Sequence, residues 1–231
     1  MSYEPIESFY LTDYELYVLL AGKGREQWYG FSQEKQGDGI RSVNDMHGIL
    51  ARLYQKGVIR WKGKKAVLTE PFLPMIQTLV HARVCVNARK LQGGHSPSSH
   101  YFYDGQVVFL ERSQRQADTL RLTQMHMGAW LDYMEEEGYF PDHIQDGDSE
   151  KFFFNIQPGR DFSSCEKDAY AVLEKTDTRT GRILERLFVE EKGLTSLLYL
   201  QREGVWLCST CQRPNWSDIL KAWAYEREEA V

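Results

Sequence analysis

Hydrophobic and polar positions change their period several times along the 231 residues, and each change marks an element. In "LTDYELYVLLAGKG", Leu16, Leu19 and Leu20 recur at helical spacing behind Thr12, a suitable N-cap, and Gly22 or Gly24 ends the run. After the polar stretch "SQEKQGDG", Ser42 caps a second helix in which Val43, Met46, Ile49, Leu50 and Leu53 share one face, and Gly57 closes it. "VIRWKGKKAVLTE" reads as a hairpin turning at Gly63, and Pro71 and Pro74 begin another short helix. "ARVCVNAR" alternates as a strand, and "KLQGGHSPSS" is a loop. "YFYDGQVVFLERS" is a hairpin turning at Asp104-Gly105. "TLRLT" adds a strand, and "QMHMGAWLDYMEEEG" is a helix ending at Gly138, with His126 on its face.

A second series starts after "PDHIQDGDSE". "SSCEKDAYAVLEK" carries a Ser163–Glu166 capping box and predicts a helix. "RILERLFVEEKG" has strand character, "LLYLQREGVWLCST" is a hairpin turning near Glu203-Gly204, and "PNWSDILKAWAYEREEA" is a closing helix. Matched positions recur in one order: Asp13-Tyr14 with Asp168-Ala169-Tyr170, Gly105 with Gly204, and the Trp130 helix with the Trp223 helix. The pattern predicts an α+β fold, an antiparallel sheet with flanking helices in two halves related by a pseudo-two-fold axis. Residues 1–140 form the first half, with a helix-hairpin subdomain, and 141–231 the shorter second half, within one compact domain.

Composition narrows the function classes. The formal charge of −5 gives nucleic acid and anionic membranes no general attraction to the chain. No apolar run approaches the roughly 20 residues of a membrane span, and "MSYEPIESFY" lacks the basic and apolar regions of a signal peptide. Cys85, Cys165, Cys208 and Cys211 show no disulfide framework, so the expected setting is the reducing cytoplasm.

The chain resembles the EspG family, cytosolic chaperones of the mycobacterial type VII (ESX) secretion systems. The resemblance lies in "LTDYELYVLLAGKG", in "ILARLYQKGVIRWKGKKAVL", and above all in "HYFYDGQVVFLERSQRQADTLRLTQMHMGAWLDYM". It implies a two-halved α+β protein, not an enzyme, that shields the apolar tip of a helical secreted protein of WXG type or similar, in the cytoplasm. The residues expected to meet that partner are Leu91, His95, His100, Tyr101 and Tyr103.

Candidate chemistry is sparse. Cys208-Ser209-Thr210-Cys211 has redox or zinc spacing, but no second ligand pair exists, and residues three apart on a strand face opposite ways. His95 and His100 fall in or beside a loop with no carboxylate pair, and no nucleophile elbow, phosphate loop or HExxH motif occurs. No catalytic residue, cofactor or metal is therefore expected. The alternative to a protein-binding role is a winged-helix DNA-binding regulator using 42–69, with Arg52, Lys56, Arg60, Lys62, Lys64 and Lys65 on phosphates. The outward positions Asn44, Asp45, His47 and Gly48 supply few base-reading donors, which counts against it. Trp130 and Trp223 are expected in the core, each on the apolar stripe of its helix.

Overall fold

The structure, a computed structural model, describes residues 8–25, 43–91, 97–113, 118–141, 154–155, 169–192 and 195–225. Strand β1 (Ser8–Thr12) runs directly into helix α1 (Asp13–Ala21). Thr12 caps that helix as expected: its hydroxyl accepts from Glu15 N–H, and the Glu15 carboxylate returns a bond to Thr12 N–H at 2.8 Å. Helix α2 (Val43–Gln55) leads into the hairpin β2 (Ile59–Lys62) and β3 (Lys65–Leu68), and α3 (Leu73–His81) follows. Four strands then run back and forth, β4 (Val84–Lys90), β5 (Ser98–Tyr103), β6 (Gln106–Arg112) and β7 (Thr119–His126), ending in helix α4 (Met127–Glu136). After the short β8 (Phe154–Asn155), four more do the same: β9 (Ala169–Asp177), β10 (Ile183–Lys192), β11 (Thr195–Arg202) and β12 (Val205–Thr210). Helix α5 (Arg213–Ala224) closes the chain.

Apart from the β2–β3 hairpin, all the described strands join one ten-stranded antiparallel sheet, in the order β1-β7-β6-β5-β4-β9-β10-β11-β12-β8. The central pair is β4·β9, in register from Val84↔Asp177 to Lys90↔Ala171. Outward from that pair the order is the same on both sides: a four-strand meander, then an edge strand that precedes the meander in sequence. Each meander ends in a tryptophan-bearing helix. The two hairpins that look alike in sequence are nevertheless one strand out of step. Asp104-Gly105 joins the second and third strands from the centre, and Glu203-Gly204 joins the third and fourth. What the two share is the turn. Asp104 (φ 49°) with Gly105 (72°), and Glu203 (51°) with Gly204 (77°), hold the paired left-handed conformations that match the twist of a two-residue hairpin.

Two expectations are corrected. The segment expected to continue a helix over 169–175 is strand β9. Its Ala, Leu, Glu and Lys content suits a helix locally, but hydrogen-bonded strands on both sides and burial of Ala171, Val172 and Leu173 decide the outcome. Gln124, Met125 and His126 extend β7 instead of beginning a helix, and His126 stands at the N-cap of α4. The expected caps at Ser42 and at Ser163 with Glu166, and Cys165, lie outside the described residues.

The sheet carries two main cores. Under one face α4 and α5 bury Trp130, Trp216 and Trp223 against Val107, Phe109, Leu187 and Leu198. On the other face of the first meander, α1, α2 and α3 bury Leu16, Leu53, Met75 and Leu79 against Cys85, Tyr101, Val108 and Leu122. Trp130 and Trp223 have no exposed surface, as expected. Cys211 packs in the first of these cores, while Cys208 packs beside Val172, Phe188 and Tyr199 on the opposite face. The two thiols thus separate as the two-residue period of a strand requires.

Candidate protein-binding surface

The expected partner residues do not form one patch. Cys85 pairs with Tyr101 and Ala88 with Ser98, so Tyr103 lies past one end of β4 and Leu91 past the other. That separation is roughly 25 Å at the rise of a strand. Leu91 and Tyr103 are 41% and 44% exposed. His100 and Tyr101 have no exposed surface, because a central strand is covered on both faces, and this removes them from any surface role. His95 lies outside the described residues.

His100 anchors the core. Its Nδ1 accepts the indole N–H of Trp130 at 2.6 Å, which places the ring proton on Nε2. Nε2 lies 2.8 Å from Ser98 Oγ, which lies 2.8 Å from the Tyr139 hydroxyl. Burial pushes the imidazole down to about 3, so the ring is neutral. The second tryptophan has a counterpart arrangement: Trp223 Nε1 donates to Glu185 Oε2 at 3.0 Å. That carboxylate also meets Lys175 at 3.3 Å and Arg202 at 2.8 Å. Burial alone would raise the Glu185 carboxyl, but the Trp223 and Arg202 hydrogen bonds and the Lys175 charge outweigh it and hold it below its ordinary range.

A further device had no sequence signal. The Arg25 guanidinium reaches the carbonyls of Leu79, Val80 (2.8 Å) and Ala82 (3.3 Å) at the end of α3, and that of Thr178 (3.0 Å) in the β9–β10 turn. It neutralises the negative end of α3 and ties that helix to the second meander. A lone arginine beside a glycine-bearing turn gives no hint of this.

The six cations of the alternative reading divide into two groups. Lys56 Nζ lies 2.6 Å from Glu15 Oε2 and Arg52 Nε 3.6 Å from Glu15 Oε1, and the Glu15 side chain is fully buried. These two positive charges hold α2 against α1, which leaves the would-be recognition helix without its basic residues. Arg60, Lys62, Lys64 and Lys65 are exposed on the hairpin. Among the described residues, no cluster of three His, Cys, Asp or Glu side chains could hold a metal. Burial pushes the Cys85 and Cys211 thiols up to about 12, away from thiolate chemistry.

A groove able to receive another chain lies between α4 and α5. The last residues of α4 meet the first of α5, where Arg213 bridges Asp132 and Glu135 at 3.0 Å each, so the helices run antiparallel. Between them is a groove of about 350 Å³ lined by Met127, Gly128, Leu131, Ser217, Lys221 and Tyr225, with Asp132 and Arg213 at its rim. Met127 and Leu131 give it an apolar floor, and Gly128 leaves room for an incoming side chain. An apolar floor with a charged rim suits a short helical or extended segment. A second cleft, about 470 Å³, opens at the sheet end beside Arg182, Ile183, Arg186 and Glu203 and is more polar. Sequence reasoning missed the groove, because its lining comes from two helices about eighty residues apart that no local pattern brings together.

No family model matches the chain, and no curated protein matches its sequence. Among solved structures, it is similar to the Mycobacterium tuberculosis type VII secretion system chaperone EspG5, solved in complex with the PE25–PPE41 dimer. The TM-score is 0.52 at 11% identity, over 95% of this chain and 98% of that one. The likeness runs end to end and is one of fold: this chain has the α+β architecture of that chaperone.

Proposed function

We propose that this protein is a cytoplasmic, non-enzymatic chaperone that holds a helical secreted protein of a type VII pathway until export. The observation that supports the reading most is the end-to-end correspondence with a chaperone of that pathway, solved with its bound dimer. The α4–α5 groove is the surface that we assign to the partner. An apolar helix tip entering it would cover Met127 and Leu131, and its polar flanks would meet Asp132, Arg213 and Lys221. In the same reading the two meanders are copies of one unit, and the pairing β4·β9 is the join between them. The winged-helix alternative has no comparable support, since Arg52 and Lys56 serve Glu15.

The test is co-expression with whatever small helical proteins its neighbouring genes encode, followed by size exclusion. A stable complex that is lost on Leu131→Glu supports the reading. Complex formation that Leu131→Glu and Tyr225→Ala both leave intact moves the site elsewhere, and failure of every neighbouring helical protein to co-purify overturns the function.

A further inference from the structure

We propose that the β2–β3 hairpin is a docking edge for an extended acidic segment of a partner protein, in which carboxylates alternate with apolar residues. The proposal rests on the reading of this chain as a protein-binding protein, but concerns a surface separate from the α4–α5 groove.

The hairpin is anchored only at its base. Val58 and Ile59 are buried with Leu68 partly covered, while every residue from Arg60 to Ala66 is exposed. No acidic residue occurs from Lys56 to Thr69, in a chain whose formal charge is −5. Among the described residues, Arg60, Lys62, Lys64 and Lys65 meet no carboxylate. Register and pleat sort the side chains: Arg60, Lys62 and Lys65 share one face, and Trp61 lies opposite Ala66 on the other. Lys62 and Lys65 are direct cross-strand partners. Like charges placed so repel and destabilise a hairpin, so this arrangement calls for an anion from outside.

The period decides what kind of anion. Arg60 and Lys62 are two residues apart on one face, roughly 6.6 Å, the same interval as alternate side chains of any extended peptide. A strand with carboxylates at every second position matches them tooth for tooth. The β2–β3 pair has no third strand among the described residues, so each outer edge still presents backbone donors and acceptors. Trp61, 49% exposed, offers the intervening apolar residues a ring on the other face.

Other polyanions fit less well. A nucleic-acid reader would use α2, whose exposed positions include Asn44, Asp45 and His47 and whose Arg52 faces Glu15. A lipid surface would want Trp61 and the cations on one side, and here they point to opposite faces.

Fluorescence anisotropy tests the proposal on the full chain. The probes are a labelled peptide alternating aspartate with valine, a peptide of equal composition with its aspartates contiguous, a duplex DNA oligonucleotide and phosphatidylglycerol vesicles. The alternating peptide should bind best and weaken with salt. The double variant Lys62→Glu/Lys65→Glu should lose about tenfold or more in affinity, and Trp61→Ala should lose less while keeping the salt dependence. Unchanged melting temperatures confirm that both variants fold. Undiminished peptide binding by the charge-reversed variant, equal binding of the two peptides, tighter binding of DNA or vesicles, or no peptide binding at all would each overturn it. The same titration on Leu131→Glu separates the two claims. Peptide binding there survives a wrong groove assignment, and a failed titration beside an intact helical complex overturns the hairpin proposal alone.

Discussion

Trp130 and Trp223 occupy matching places in the sheet order, each on the helix that ends a meander, each bonded to the second strand from the centre. The acceptors differ. On β5 it is the neutral ring of His100, satisfied by Ser98 on its far side. On β10 it is the ionised carboxylate of Glu185, held between Lys175 and Arg202. The same device, a buried indole N–H given one acceptor, is thus built once without charge and once as a network of charges. The lesson is that architecture fixes where the tryptophan must be, and only local chemistry fixes what answers it.

The largest effects come from removing the shared element. Trp130→Ala and Trp223→Ala should each cost about 3–5 kcal/mol, measured by denaturant unfolding. A loss below about 1 kcal/mol at either site would show that the two are not equivalent anchors.

Next comes the charge that only one side carries. Glu185→Ala removes the carboxylate shared by Lys175, whose side chain is 4% exposed, by Arg202 and by the Trp223 indole, and should cost about 3–5 kcal/mol. Lys175→Met with Glu185→Leu should recover only part of that loss, because the apolar pair removes the buried ammonium but still deprives the Trp223 indole N–H of its acceptor. Failure of the double variant to recover would mean that the network matters beyond charge pairing.

Acid sharpens the contrast. The His100 ring is held at about 3, below the ordinary value near 6.5. The unfolded chain therefore binds that proton first, so the stability is complete above about pH 6.5 and falls by up to about 1.4 kcal/mol per unit as pH drops toward 3. Glu185, also depressed, contributes stability that is present above the usual carboxylate range and is lost as pH falls through and below it. His100→Gln should flatten stability between about pH 6 and 5, and Glu185→Gln should leave that interval unchanged. Melting curves across that interval that are identical for wild type and His100→Gln would contradict the assignment.

The smallest effect tests the turns. Gly105→Ala and Gly204→Ala, at φ 72° and 77°, should each cost about 1–2 kcal/mol. Neither added Cβ meets a neighbour, so the cost is conformational alone. A marked difference between them would reveal a contact peculiar to one hairpin.

Much of the fold was legible because its signals are local. The Thr12 cap, the Asp-Gly and Glu-Gly turns, and the tryptophan stripes each lie within one turn, one hairpin or one helix. The errors occurred where long-range pairing rules. β9 reads as a helix because it sits between two strands and buries both faces, which erases the alternation that would reveal it. His100 reads as a loop residue because its partners Ser98, Trp130 and Tyr139 are assembled only when β5 is covered by α4. The groove needs both helices in place, and its lining residues are unremarkable in sequence.

Hydrogen exchange on the complex with a co-purified helical partner tests the central claim most directly. The account predicts new protection over Met127–Glu136 and Arg213–Ala224, with the central strands β4 and β9 unchanged. Protection absent from both helices, or confined to other surfaces, would contradict it.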